Sequence, residues 1–265
     1  MKINGVDLHV TDTQSGAPAV VFSHGLLFSN VMFDPQIAAL RDRYRCVAFD
    51  HRGQGQSEVT KTGYDMDTLT DDAAALIEQL GIGPCHFVGL SMGGFVGMRL
   101  AIHRPELLKS LTLIETSADA EPKENHFKYR MLNFIARWFG LGAVTGRVMP
   151  IMFGQSFLND PARAQERAKW RAHIASGDRT GVTRAVNGVV DRDAVFDQLG
   201  RITTPTLIIV GEEDVATVPE KSERMHRAIP GAQLVRIPRA GHSATLEEPA
   251  AVTAALTAFL QTIDS

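Results

Sequence analysis

Two cysteines, Cys46 and Cys85, are all that 265 residues contain, too few for a disulfide scaffold. Each opens or sits in a strand-like run and reads as a small buried hydrophobe. No stretch of roughly eighteen consecutive apolar residues occurs, so no membrane-spanning helix is expected. The opening residues Met1-Lys2-Ile3-Asn4-Gly5-Val6-Asp7 lack the apolar run of a signal peptide, and a cytoplasmic chain starting near Met1 is expected. Excess charge of one sign is missing too. The 27 Lys/Arg against 30 Asp/Glu leave a net charge of −3, which gives no field to gather nucleic acid or an anionic membrane, and neither is expected as a partner. No His-Glu-x-x-His and no paired Cys-x-x-Cys is present, so neither metal nor cofactor is expected.

What is there is ordinary for a globular chain: 44% apolar and 22% charged residues exclude disorder, collagen and coiled coil as whole-chain answers. The length lies near the point where one hydrophobic core stops growing, which favours one domain carrying an insertion. Short apolar runs, Ala19–Phe22, Cys46–Phe49, His86–Gly89, Leu111–Ile114 and Thr206–Val210, alternate with helical periods. Continuous apolarity marks strands buried on both faces of a parallel sheet. Met66, Leu69, Ala73, Leu76, Ile77 and Leu80 share one helical face, and Gly81 follows as a stop. Further helices are predicted over Met92–His103, Glu220–Ile229 and about Pro249–Thr262. Lys2–Thr13 alternates instead, as an antiparallel edge strand or hairpin would. The predicted fold class is α/β, a mostly parallel central sheet with flanking helices.

From about Asp119 to Ala194 no strand-like run occurs. Phe127, Met131, Phe134, Ile135 and Trp138 recur at helical spacing, and Ala162–Ile174 and Val182–Val190 also look helical. About 75 structureless residues would lie far outside loop-length priors. Residues 119–194 are therefore predicted to form a helical cap on a core made of residues 1–118 and 195–265.

Gly89-Leu90-Ser91-Met92-Gly93-Gly94 follows a buried-strand run and opens a helix. Small residues two before and two after the serine let strand and helix approach around a strained turn, lifting the Ser91 hydroxyl above the sheet's carboxyl edge. The Met92 N–H then stands at a helix start, where it can hold an oxyanion. A serine nucleophile needs a base, and the base an orienting acid. Asp214 follows the strand Leu207–Val210 and His242 follows Gln233–Ile237, so both reach the same edge. Glu212 and Glu213 beside Asp214, and Asp119 after the preceding strand, remain alternative acids.

With His24-Gly25-Leu26, Asp50-His51-Arg52-Gly53-Gln54-Gly55-Gln56-Ser57, Gly89–Gly93, Gly211–Asp214 and Gly241-His242 followed by Glu248-Pro249, the chain resembles the serine-nucleophile α/β-hydrolases over nearly all its length outside the cap. Among these it is similar to 3-oxoadipate enol-lactonases and small bacterial carboxylesterases. The resemblance implies Ser91 as nucleophile, His242 as general base and then acid, Asp214 as orienting acid, and Leu26 and Met92 as the oxyanion-hole N–H groups. It implies hydrolysis of a small carboxylic ester or lactone through an acyl-enzyme. Cofactor-free haloperoxidase or perhydrolase activity would use the same triad, as would carbon–carbon bond hydrolysis, for which the turn after His24 is short. A ligand-binding receptor with vestigial turnover is the alternative from another class.

The cap carries twelve Lys/Arg and seven acids between Glu121 and Asp193, a net +5 that leaves −8 for the remainder. Such a lid could draw an anionic small-molecule substrate, or the charges could be solvated helix faces. Trp138, Phe134, Met131 and Met152 are expected to line an apolar substrate pocket. The oligomeric state is left open by the sequence.

Overall fold

A computed structural model describes all residues from Met1 to Ser265. A hairpin of β1 (Lys2–Ile3) and β2 (Val6–Asp7) leads into β3 (Val10–Asp12), followed by β4 (Ala19–Ser23), α1 (Asp34–Leu40), β5 (Arg45–Phe49), α2 (Met66–Leu80), β6 (Cys85–Leu90), α3 (Met92–His103) and β7 (Leu108–Ile114). Five helices come next: α4 (Lys123–Phe139), α5 (Thr145–Met152), α6 (Gln155–Asn159), α7 (Ala164–Ser176) and α8 (Arg179–Val190). The chain then returns to the sheet with β8 (Thr206–Gly211), α9 (Pro219–Ala228), β9 (Gln233–Ile237), α10 (Ala244–Glu247) and α11 (Pro249–Asp264).

The main sheet has seven strands in the order β3-β5-β4-β6-β7-β8-β9, with β3 antiparallel at one edge and every other pairing parallel. Strands with helices on both faces must be apolar on both, and the side chains divide accordingly. Val21, Val47 and Phe49 point into a core on one face, while Val20, Phe22, Cys46 and Ala48 point into a second core on the other. Both cysteines are buried and unpaired.

Local chemistry sets the helix ends. Asp65 caps α2 by accepting the Thr68 N–H at 2.8 Å, and Gly81 ends it in the left-handed conformation, φ 60°. The main departure from the sequence reading is α1, a short helix starting at Asp34-Pro35 that the apolar pattern did not reveal. The helical stretch also contains two more helices, α5 and α6, than its periodicity showed.

The parallel strands all end at one edge, and their following loops gather there. Ser91 directly follows β6, Glu115 follows β7, Asp214 lies three residues after β8 and His242 five after β9. The helices α4–α8 leave the sheet at this same edge.

Candidate active site

Ser91 occupies a backbone conformation that L-residues avoid, φ 52° and ψ −110°. Two glycines make the turn possible. A Cβ on Gly89 would meet the Gly93 carbonyl oxygen at 2.2 Å, and one on Gly93 would meet the Ser23 carbonyl oxygen at 2.0 Å. Any larger residue at either position would push β6, α3 and β4 apart. Ser91 N–H donates to Ile114 O at 2.8 Å, and Thr116 Oγ1 donates to Ser91 O at 2.8 Å, so the turn is clamped from β7.

The Ser91 hydroxyl lies 2.8 Å from His242 Nε2, and His242 Nδ1 lies 2.9 Å from Asp214 Oδ2. Asp214 also accepts from Thr217 Oγ1 at 2.7 Å and from the N–H groups of Ala216 and Thr217 at 2.7 and 3.0 Å. Burial alone would raise its carboxyl, but His242 and these donors hold it below the ordinary carboxylate range. With Asp214 ionised, Nδ1 carries the proton and Nε2 is free to accept one from Ser91.

The other candidate acids are occupied elsewhere. Glu212 pairs with Arg236, Asp119 with Arg224, and Glu213 accepts the Ser156 N–H.

Two buried carboxyls that the sequence reading passed over support this arrangement. Glu115 accepts the Gly211 N–H at 2.7 Å, and its carboxyl lies within hydrogen-bonding reach of Asp214. Burial and then repulsion from Asp214 push it well above the usual carboxylate range, which keeps it neutral. Glu247 accepts N–H groups from Gly241 and Ser243, both at 3.0 Å, thereby gripping His242 from either side, and a third from Gly154 at 2.7 Å. Burial raises Glu247 to about 7 against the effect of those three donors. Glu115 could have been sought as the residue just beyond a buried strand, and Glu247 as an acid one helical turn after the His242 loop.

The turn after β4 stands opposite Ser91. Leu26 N–H meets no backbone acceptor, and Met92, first in α3, has its N–H outside the helical ladder. The neighbouring Leu27 N–H is braced by Gln54 Oε1 at 2.9 Å. His24 Nδ1–H donates to the Gly25 carbonyl at 2.7 Å while its Nε2 accepts the His51 N–H at 2.9 Å. Burial lowers both His24 and His51, so both are neutral struts. Ser57 donates to Asp50 O at 2.6 Å and Arg52 pairs with Asp72, which leaves the glycine-rich loop structural.

Ser91 and His242 open onto a cavity of about 140 Å³ beneath α4, α5 and α8, and sixteen of its 22 lining residues are hydrophobic. Met152 is on that lining, as expected from the sequence. Trp138, Phe134 and Met131 are not, and this corrects the sequence expectation. They stand on the outer face of α4, with Phe134 61% and Trp138 67% exposed. Helix α4 has two apolar stripes, and the smaller one (Tyr129, Leu132, Ala136) faces the cavity with Asn133. Arg192 is the one Lys or Arg on the lining, and it is paired with Glu121 at 3.1 Å. Glu115, Asp214 and His242 offer three ligand-type atoms within 4.8 Å of one another. Both available faces of His242 are already engaged by Ser91 and Asp214, so the set is a hydrogen-bond chain in geometry.

The provisionally named carbamate hydrolase RutD of Pseudomonas syringae is 31% identical over 250 residues, covering 93% of this chain and 95% of that protein. The 3-oxoadipate enol-lactonase 2 of Acinetobacter baylyi is 29% identical over 253 residues, 96% of this chain and 92% of its own. Among solved structures, the thermophilic esterase of Thermogutta terrifontis superposes with a TM-score of 0.93 at 30% identity, covering all of this chain and 98% of its own. The sequence also matches the family described as alpha/beta hydrolase fold over residues 18–249, a span containing Ser91, Asp214 and His242. On strand order, elbow and sequence alike, the chain belongs to the α/β-hydrolase family.

Proposed function

We propose that the protein is a serine hydrolase that cleaves a small, neutral carboxylic ester or lactone through an acyl-enzyme. The observation that carries this reading is the run of hydrogen bonds from Ser91 through His242 to Asp214 at the mouth of an apolar cavity. In the proposed reaction Ser91 Oγ passes its proton to His242 Nε2 as it attacks the carbonyl carbon. The Leu26 and Met92 N–H groups hold the oxyanion of the tetrahedral intermediate. The intermediate collapses, and His242 returns the proton to the departing alkoxide, which in a lactone remains tethered to the acyl chain. Water, deprotonated by His242, then attacks the acyl-enzyme, and the proton returns to Ser91 as the carboxylic acid leaves. Asp214 stays ionised and fixes the imidazole throughout.

The lining supports a neutral, apolar acyl group. The basic residues of residues 119–194 do not converge on the cavity, and Arg192, which does, is balanced by Glu121. The apolar lining is the reason an ester or lactone is preferred here over the carbamate in the name of RutD.

Turnover of p-nitrophenyl acetate and butyrate by the wild type and Ser91→Ala tests the proposal. Loss of roughly six orders of magnitude in kcat is expected, the small remainder coming from binding and the oxyanion hole. Equal rates for the two proteins would overturn it.

A further inference from the structure

The residues that the sequence placed against the substrate carry a different consequence. Phe127, Met131, Phe134 and Trp138 fall at i, i+4, i+7 and i+11 of α4, one continuous stripe, and the structure turns that stripe to solvent. Phe127 is 73% exposed, and Phe139 at the end of the helix is exposed as well. Isolated surface hydrophobes need no explanation, but four large ones in register on one helix face mark an interaction surface.

The charges around the stripe indicate what covers it. Helix α4 carries Lys123, Lys128, Arg130 and Arg137, all exposed, against the single acid Glu124, a net +3. Lys123, Arg130 and Arg137 follow one edge of the stripe and Lys128 the other. Arg130 meets Asp191 at 2.8 Å in a solvent-exposed pair, the kind that is easily exchanged for another anion, and Arg137 is in no ion pair. Beside the stripe, Arg130, Arg137, Arg184, Phe134 and Trp138 border a groove of about 280 Å³ between α4 and α8. A second copy of the chain is a poor occupant, because stripe-to-stripe pairing would bring +3 against +3 as water left the contact. Aromatic side chains flanked by cations on one face of a helix instead match an anionic lipid surface, with the rings entering the headgroup region and the cations meeting phosphates.

We propose that the outer face of α4 docks the protein peripherally onto an anionic lipid surface, against the expectation drawn from the net charge of −3, because the positive charge is concentrated on this one helix. Phe134 and Trp138 insert at the headgroup level, and Arg130 and Arg137 meet the lipid phosphates. The opposite side of the same helix forms the roof of the cavity above Ser91, so docking sets that roof directly against a phase in which apolar esters concentrate.

Flotation of the full chain with phosphatidylcholine vesicles, with and without phosphatidylglycerol, tests the proposal. Binding is read without turnover, so its result is independent of the proposed reaction. The wild type is expected to float with the phosphatidylglycerol vesicles, to stay behind with phosphatidylcholine alone and to be released by salt. Trp138 emission should shift to the blue on binding, because the second tryptophan, Trp170, is already buried. Each of Arg130→Gln and Arg137→Gln should weaken binding about fivefold. The Phe134→Ser/Trp138→Ser double variant should lose binding while hydrolysing a soluble short ester at the wild-type rate, which shows it folded. Failure of the wild type to float, or equal flotation on both vesicle types, would overturn the proposal. So would a wild-type dimer that the double variant converts to monomer without any vesicle binding, since a second copy would then be the occupant.

Discussion

Glu115 and Asp214 lie side by side beneath His242, with carboxyl oxygens within 4.8 Å of each other, and their surroundings push them in opposite directions: burial and the Asp214 charge raise Glu115, while His242 and its donors lower Asp214. Asp214 has the imidazole and three donors to stabilise its charge, whereas Glu115 accepts from the Gly211 N–H and, in its protonated form, can itself donate to Asp214. Two buried carboxylates this close cannot both ionise without large cost, so the better-solvated one takes the charge.

A neutral Glu115 can be replaced by its neutral isostere. Glu115→Gln is expected to keep kcat/KM for a p-nitrophenyl ester within about threefold of wild type, because the amide oxygen still accepts the Gly211 N–H. Asp214→Asn should instead lower kcat by about four orders of magnitude, since it leaves His242 in the wrong tautomer. Steady-state kinetics on both variants checks the assignment, and a comparable loss in each would show that Glu115 is the ionised partner.

Glu247 makes stability depend on pH near neutrality. Its carboxyl titrates near 4.5 in the unfolded chain and at about 7 in the folded one. Between those values the folded state binds a proton that the unfolded state has released, so stability falls as pH rises through the window. The drop is of order 3 kcal/mol at most. Urea unfolding at pH 5 and pH 8 should show it, and Glu247→Gln should flatten that difference while loosening the His242 loop and lowering kcat. A wild type whose unfolding midpoint rises across the same interval would contradict the linkage.

The two faces of α4 and α5 should separate in substrate-chain profiles. Met152→Ala enlarges the cavity and should move the preferred acyl chain of p-nitrophenyl esters to greater length, with a stability cost of about 2–3 kcal/mol. Trp138→Ala, on the outside, should leave both the profile and the stability within about 0.5 kcal/mol of wild type. A profile that shifts with Trp138 and not with Met152 would restore the sequence expectation.

Where chain chemistry is local, the sequence is a good guide. Ser91 is legible because only glycine fits at Gly89 and Gly93, and the turn announces itself in five residues. Asp214 and His242 are legible because each follows a short strand-like run whose end must lie at the same edge. The pocket face of α4 is not, because hydrophobicity there measures two surfaces at once. Its outward side chains are larger than its inward ones, and a rule that buries the largest stripe selects the wrong side. Glu115 and Glu247 are hidden for the opposite reason, since nothing local distinguishes a buried carboxyl from a solvated one. Their environment is assembled from residues such as Gly211, Gly154 and Gly241, distant in the chain or turned inward by the loop.

Gly154 and Gly241 touch so closely that a Cβ on Gly241 would meet the Gly154 nitrogen at 2.2 Å. Gly154, in the link between α5 and α6, and Ser156, in the first turn of α6, are hydrogen-bonded to Glu247 and Glu213 respectively. One margin of the cavity's roof is therefore riveted to the two loops that carry His242 and Asp214. Lifting that margin to admit a substrate would drag the base away from Ser91.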